Sequence, residues 1–198
     1  IQFYMFPLNF MSTIYFIFGF LQAVTGYAAW VFKKQEDFKI DINDYPNIGT
    51  NSKLLVVYFS RLGYVKKKAF EEANRTGALV YEVKSTEKTD GTAGFWWCGR
   101  YGMHKWGMPI EPISVDLTKF EKVTICSPIW VFALYAPIRE FCKKASGKIK
   151  NADYILVHHT KGSYENAANE MDELLKIRRS SFRTITCRKG KYIKEKTL

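Results

Sequence analysis

Five short apolar runs, separated by stretches with helical spacing, constrain the fold of this chain most strongly. The first, "LLVVYFS" at residues 54–60, is continuous and rich in β-branched residues, which is typical of a parallel strand covered on both faces. Comparable runs follow at residues 78–84, 122–127, 154–159 and 182–188, and the last of them alternates as an edge strand does. These runs predict five β-strands.

The intervening stretches predict three helices. Residues 65–77 carry apolar side chains at helical spacing, and Gly77 indicates where that helix ends. A second helix is predicted to begin at Pro137, where the missing N–H costs little, and residues 165–177 form the clearest amphipathic pattern. Residues 85–122 are predicted to be a long irregular stretch. The alternation predicts an α/β domain with an open, doubly wound parallel sheet, in which ligands bind beyond the carboxyl ends of the strands.

The N-terminal segment, residues 1–34, predicts a membrane anchor. It contains no charged residue before Lys33, and residues 10–32 are long enough to span a bilayer, which needs roughly 20 apolar residues. Lys33 and Lys34 favour a single-pass topology in the cell membrane, with the downstream part in the cytoplasm. A cleaved signal peptide and a buried helix are the alternatives. The chain does not begin with Met, which is consistent with a fragment whose true start is missing.

Residues 35–52 are polar and contain Pro, Gly and several Asn, which predicts a linker before a domain at residues 53–198. The formal net charge of +11 could serve a nucleic acid, an anionic membrane surface or an anionic ligand. No nucleic-acid-binding motif is present, so we expect no nucleic-acid partner. The four Cys form no CxxC pair, and Cys98 and His104 alone do not make a metal site, so we expect no bound metal.

The stretch "VVYFSRLGYVKKKA" (56–69) runs from a strand through a Gly turn into a basic helix. A phosphate at such a turn is held partly by backbone N–H groups and by the helix dipole, which are independent of side chains. The turn therefore predicts a phosphate site, and the alternative is a plain strand-to-helix turn. The residues of the turn are Ser60, Arg61, Leu62, Gly63, Tyr64 and Val65.

Together with "VDLTKFEKVTICSPIWVFALYAPIREF" and "HHTKGSYENA", this stretch resembles the flavodoxin family over nearly all of residues 53–190. The resemblance implies the strand order 2-1-3-4-5, bound FMN, and an electron carrier or FMN-dependent reductase module with a redox partner protein. In this family the turn usually reads hydroxyl, any, hydroxyl, Gly, any, hydroxyl. Ser60 and Gly63 match that pattern, whereas Leu62 and Val65 do not, so two hydroxyl donors are missing.

The resemblance also places the loops after the third and fourth strands around the flavin ring, and Trp130 or Phe132 would cover one face of it. Residues 91–109 are dense in Gly and aromatic residues, which predicts a second face for the ring, and the alternative is an aromatic cluster that only holds a long loop in place. The candidate stacking residues in this stretch are Trp96, Trp97, Tyr101 and Trp106. His158 and His159 are adjacent on a strand, so we expect at most one of them to face the site. The predicted cofactor-binding residues beyond the turn are Trp97, Ser127, Pro128, Ile129, Trp130, Thr160 and Gly162.

The sequence thus favours a membrane-tethered, FMN-binding domain that takes part in electron transfer. The alternative is an interaction module that has kept the flavodoxin fold and lost the flavin. Leu62 and Val65 favour this alternative, and the intact loop around Trp130 disfavours it.

Overall fold

The structure is a computed structural model that describes residues 17–26, 40–188 and 191–198. Residues 17–26 are helical. Within the described ranges, no helix combines the length and the apolarity that a bilayer crossing requires. The rest of the anchor predicted over residues 1–34 lies outside the described residues.

The domain alternates strands with helices, as expected. The strands are β1 (Asn51–Tyr58), β2 (Ala78–Glu82), β3 (Lys122–Trp130), β4 (Ala133–Leu134), β5 (Ala152–His158), β6 (Ser181–Arg188) and β7 (Lys191–Thr197). The helices are α1 (Tyr64–Thr76), α2 (Gly91–Met103), α3 (Ala136–Ala145) and α4 (Glu165–Leu175), with short 3₁₀ turns at Ile42–Asp44 and Leu117–Lys119.

The seven-stranded sheet has the order β2-β1-β3-β5-β6-β7, with β4 paired to the end of β3. Its five parallel strands, β1, β2, β3, β5 and β6, follow the arrangement expected from the resemblance. The sheet differs from the expectation because it also contains two antiparallel strands, β4 and β7. The prediction that residues 182–188 form an edge strand is wrong, since β7 pairs with β6 along its length.

Helices cover both faces of the sheet, as a doubly wound fold requires. On one face, Val56 and Tyr58 of β1 pack against Val65 and Ala69 of α1. On the other face, side chains of β1, β3 and β5 form a core with α2, α3 and α4. Alternation along each strand produces this division because successive side chains point to opposite faces. Ile40, Tyr45 and Ile48 pack against the α1 side, so this part of the predicted linker contacts the domain.

The irregular stretch predicted at residues 85–122 contains a 13-residue helix, α2, and this part of the prediction is wrong. Its sequence, "GTAGFWWCGRYGM", is rich in Gly and aromatic residues, which have low helix propensity. Tertiary packing outweighs that propensity, since buried Cys98 joins the core on the α3–α4 face. A Cβ atom at Gly94 would clash with the main chain of Thr89, so the glycine allows the helix to begin against that turn.

Candidate functional site

Two neighbouring cavities lie at the carboxyl ends of β1, β3 and β5. The larger one, which we call the mouth cavity, has a volume of about 540 Å³ and lies among α2, the β3–β4 turn and the loop after β5. The smaller one, the turn cavity, has a volume of about 40 Å³ and lies against the turn between β1 and α1. Both cavities are lined by Ile129, Trp130, His158 and His159.

The β1–α1 turn has the geometry that the sequence predicts. Gly63 has a φ of 84° and caps α1, a left-handed conformation that glycine adopts without the cost that a Cβ would bring. The helix that follows has 13 residues, so its N-terminal N–H groups and dipole point toward the turn. The hydroxyl oxygen of Ser60 is buried beside this turn and has no hydrogen-bond partner within the described residues.

Leu62 and Val65 occupy the two positions where the related pattern has hydroxyls. Val65 is buried and belongs to the core between α1 and the sheet, and half-buried Leu62 packs against the same core. Both also line the turn cavity. The two side chains therefore strengthen the packing of the turn and contribute no hydrogen-bond donor to the cavity.

Arg61 joins the β1–α1 turn to the beginning of α2. Its guanidinium donates hydrogen bonds to the carbonyl oxygens of Thr89 and, at 2.8 Å, of Gly91. The same group lies 5.3 Å from the centre of the Trp130 ring, within the range of a cation–π contact. Arg61 thus links the β1–α1 turn both to the start of α2 and to Trp130.

Trp130 stands at the boundary between the two cavities. Its ring meets that of Phe95 edge to face, with 4.8 Å between the ring centres. The indole Nε1 is buried and has no acceptor among the residues that the structure describes. The two residues that follow, Val131 and Phe132, both have positive φ, 49° and 58°, and form a two-residue turn between β3 and β4.

His158 ends β5 and is 3% exposed. Its Nδ1 lies 2.6 Å from the carbonyl oxygen of Thr160, while its Nε2 is buried without a partner in the described part of the chain. Burial lowers the pKa of His158. The hydrogen bond to Thr160 acts in the opposite direction and raises the pKa, while the neighbouring His159 lowers it further. We expected at most one of the two histidines to face the site, but both line it, because β5 ends at His158 and strict alternation ends with it.

The structure brings most of the expected residues together. The residues that line one or both cavities are Ser60, Arg61, Leu62, Tyr64, Val65, Pro128, Ile129, Trp130 and Thr160. Gly63 shapes the turn through its backbone, and the fully buried Ser127 donates its hydroxyl to the carbonyl oxygen of Pro128.

Trp97 and Gly162 do not lie at the cavities. Trp97 points to the outside of α2, where its indole N–H donates to Glu87, and Gly162 lines a separate groove beside β7. Adjacent helical residues are rotated by about 100°, so only one of the two neighbouring tryptophans can face the mouth cavity, and that one is Trp96.

Several lining residues were not among the predicted ones. Phe95, Gly99 and Met103 line the mouth cavity from α2, and Tyr164 does so from the position before α4. The i, i+4, i+8 spacing of the first three is the signal that could have identified them, but it was missed because residues 91–109 were expected to be a loop. Tyr164, with a φ of 55°, has no such signal.

The chain matches no model of a known protein family, and no curated protein matches it in sequence. Solved structures do share its fold. A candidate flavoprotein from Bacteroides uniformis ATCC 8492 is 22% identical, with a TM-score of 0.59 over 69% of this chain and 91% of that one. A flavoprotein from Lactobacillus acidophilus NCFM, crystallised with FMN, is 17% identical, with a TM-score of 0.56 over 67% of this chain and 92% of that one.

A candidate flavoprotein from Bacteroides eggerthii DSM 20697 is similar to the same degree, at 21% identity and a TM-score of 0.56 over 68% of this chain and 86% of that one. At these identities the likeness concerns the fold. The described domain therefore has a flavodoxin-like α/β fold with a mostly parallel sheet.

Proposed function

We propose that this domain binds FMN at the two cavities and takes part in electron transfer. One observation carries the proposal: the buried polar atoms Ser60 Oγ, Trp130 Nε1 and His158 Nε2 all belong to residues that line the turn cavity, and none has a partner within the described residues. A buried polar atom without a hydrogen bond costs about 1–3 kcal/mol. Three of them around one cavity indicate a polar ligand that supplies the missing partners.

The residues present fit FMN in two ways. Ser60 and the N-terminus of α1 would hold the phosphate through a hydroxyl, backbone N–H groups and the helix dipole. Phe95, Trp96 and Trp130 offer apolar and aromatic surface to a flat ring in the mouth cavity. The FMN complex of the Lactobacillus acidophilus protein, which has the same fold, supports this choice of ligand. When bound, FMN supplies the ability to accept and release electrons, and the protein excludes water from the ring and orients it.

A second candidate function is that of an interaction module without flavin. The small size of the turn cavity, about 40 Å³, and the packing of Leu62 and Val65 into the core favour it. A visible spectrum separates the two functions. The FMN-binding protein is yellow, or becomes so with added FMN at close to one cofactor per chain, whereas the interaction module stays colourless at saturating FMN.

The Ser60→Ala variant tests the phosphate site. A hydrogen bond to a charged group contributes about 1.5–3 kcal/mol, so we expect FMN affinity to fall by about ten- to a hundredfold. The stability of the ligand-free protein should not fall, since Ser60 Oγ has no protein partner within the described residues. Fluorescence titration and thermal unfolding measure the two effects.

Ser163→Ala is the matched control, because Ser163 is half-buried and lines the groove beside β7 instead of the two cavities. We expect this variant to bind FMN as the wild type does. Equal affinity of the Ser60→Ala variant and the wild type would contradict the phosphate assignment.

We also propose, from the sequence alone, that residues 1–34 tether the domain to the cell membrane on its cytoplasmic side, where an unidentified redox partner protein meets it. Fractionation of cells that express the chain with and without residues 1–34 tests the tether. Sedimentation of both forms with the membranes, or of neither, would contradict it.

A further inference from the structure

We infer that His158 accepts a hydrogen bond from a donor group of the bound FMN, and that FMN binding therefore requires the neutral imidazole. The inference rests on the proposed function, and it assigns to His158 a role in recognition that the sequence pattern does not give it. Three properties of His158 carry it: its tautomer, the unmet hydrogen-bonding capacity of Nε2, and its position between the cavities.

A backbone carbonyl fixes the tautomer. Nδ1 of His158 lies 2.6 Å from the carbonyl oxygen of Thr160, and a carbonyl oxygen only accepts hydrogen bonds. Nδ1 must therefore carry the proton in this contact. In the neutral ring the other nitrogen, Nε2, then bears a lone pair and acts purely as an acceptor.

That acceptor atom is buried and has no hydrogen-bond donor among the described residues. Nε2 is closed to solvent and receives no hydrogen bond from any residue that the structure describes. The ring packs against Tyr164, with 4.6 Å between ring centres, which holds its orientation. Because His158 lines both cavities, the ligand that fills them is the natural source of the missing donor.

The ligand must present a donor at this position. Oxidised FMN has an N–H group at N3 of its ring and O–H groups on its ribityl chain, and either could supply the hydrogen. Trp130 lines the same cavities, and its buried Nε1, which has no acceptor among the described residues, has the opposite character, since an indole N–H only donates. The site thus places one acceptor and one donor before the ligand, which favours a heteroaromatic ring system bearing both kinds of group over a purely apolar one.

Acidification should weaken binding. Protonation would turn Nε2 into a second donor that faces the donor of the ligand, so FMN would bind preferentially to the neutral ring. Affinity should fall as the pH drops through the pKa of His158 in the ligand-free protein, a value that burial lowers. The other titratable or charged groups that line the two cavities are Arg61, Tyr64, Arg100, His104, Tyr135, His159 and Tyr164.

The test is the dissociation constant of FMN between pH 5 and pH 8 for the full chain and three variants. At pH 7.5 we expect His158→Phe to bind roughly tenfold more weakly, the equivalent of one lost hydrogen bond. His158→Gln, whose amide oxygen accepts without titrating in this range, should bind close to the wild type. Both His158 variants should lose the additional fall in FMN affinity that the wild type shows toward pH 5, whereas His159→Gln should retain that fall.

Titration of the FMN phosphate, which has a pKa of about 6, affects all four proteins alike and is removed by comparing them. N3-methyl-FMN then identifies the donor. If the effect of His158→Phe disappears with this analogue, the donor is the ring N–H, and if the effect persists, the donor is a ribityl hydroxyl.

Equal pH dependence of the wild type and of both His158 variants would overturn the inference while leaving FMN binding intact. Failure of the wild type to bind FMN at any pH would instead refute the proposed function, and the inference with it. Thermal unfolding of each variant confirms that it is folded at the pH of the measurement.

Discussion

At the scale of single residues, the site is marked by atoms that the protein leaves unsatisfied. Buried side-chain polar atoms in folded proteins are nearly always hydrogen-bonded. Ser60, Trp130 and His158 depart from that rule at neighbouring positions, on three different segments of the chain. These unpaired atoms destabilise the ligand-free protein, and the proposed FMN would supply their missing partners.

Trp130→Phe should separate ligand binding from stability. The change removes the indole donor and keeps an aromatic ring, so we expect FMN affinity to fall about tenfold from the loss of one hydrogen bond. The thermal midpoint of the ligand-free protein should change little, because the lost ring contacts are offset by the removal of an unsatisfied donor. Titration with FMN and thermal unfolding measure the two quantities.

Trp97→Phe is the control for that variant, since the Trp97 N–H donates to Glu87 outside the cavities. It should leave FMN affinity unchanged. A similar loss of affinity in both variants would mean that the effect does not arise at the cavities.

The sequence predicts the turn and the loop that form the site better than it predicts the individual residues of α2 that line the cavities. The Ser60 turn and the Trp130 loop are continuous stretches, so their residues were predicted together. The choice of Trp97 over Trp96 depended on the rotation of a helix that the sequence did not reveal. The unsatisfied state of Nε2 in His158 could not be predicted at all, because it depends on the separation of atoms from distant segments.

At the scale of elements, the turn between β3 and β4 is under backbone strain. Two-residue hairpin turns with positive φ at both positions favour Asn-Gly, Asp-Gly or Gly-Gly. Here they are the β-branched Val131 and the bulky Phe132, and Phe132 is also 75% exposed. Strain of this kind is concentrated at ligand-binding sites, and this turn borders the mouth cavity.

Replacing Val131-Phe132 with Asn-Gly should stabilise the domain. Left-handed backbone costs an ordinary residue roughly 1–2 kcal/mol, so the double variant should raise the free energy of unfolding by about 1–3 kcal/mol. Urea denaturation measures it. Phe132→Ala alone removes the exposed ring and keeps the strained backbone, so an equal gain from that variant would show that exposure, and not strain, is the cause.

The main elements could be predicted because their buried faces leave a periodic pattern of apolar residues in the sequence. The central strands are continuous apolar runs, and α4 has one apolar face. The strand β7 could not be found in this way, since "KYIKEKT" has no apolar run and is held by pairing with β6. The two-residue β4 is shorter than any periodic signal, and α2 combines low propensity with packing that only the folded chain provides.

At the scale of the whole molecule, a buried carboxylate ties a helix to the sheet. Glu72 of α1 is 4% exposed and contacts Arg183 of β6 at 2.8 Å and Arg75 at 2.6 Å. Burial alone would raise the pKa of Glu72, but the hydrogen bonds from Arg75 and Arg183 outweigh it and lower the pKa overall. The ionised carboxylate is therefore the form that stabilises the fold.

This network predicts a pH-dependent cost for Glu72→Gln. Breaking a buried ion pair costs about 3–5 kcal/mol, so the variant should be less stable by about 3 kcal/mol at pH 7, given that Arg75 is largely exposed. Because the folded pKa lies below the unfolded one, the contribution of Glu72 is complete above the unfolded value of 4.5 and is lost as the pH falls through the folded value. The difference between variant and wild type should therefore shrink in acid.

Urea denaturation at pH 7 and at pH 3 measures that difference. Glu121→Gln, which disrupts the exposed pair with Lys53, is the control and should change stability by less than about 1 kcal/mol. A cost for Glu72→Gln that stayed constant with pH would show that packing, and not charge, is responsible.

The antiparallel strand β7 has a consequence for how molecules meet one another. In the described part of the chain it forms one end of the sheet, where unpaired backbone groups could recruit a strand from a second molecule. On this strand Lys191, Lys194 and Lys196 outnumber Glu195, whose carboxylate pairs with Lys68 and Arg183, so two identical ends repel each other. Self-association through this end is thereby suppressed at low ionic strength, and concentrated salt weakens the protection by screening the ammonium groups.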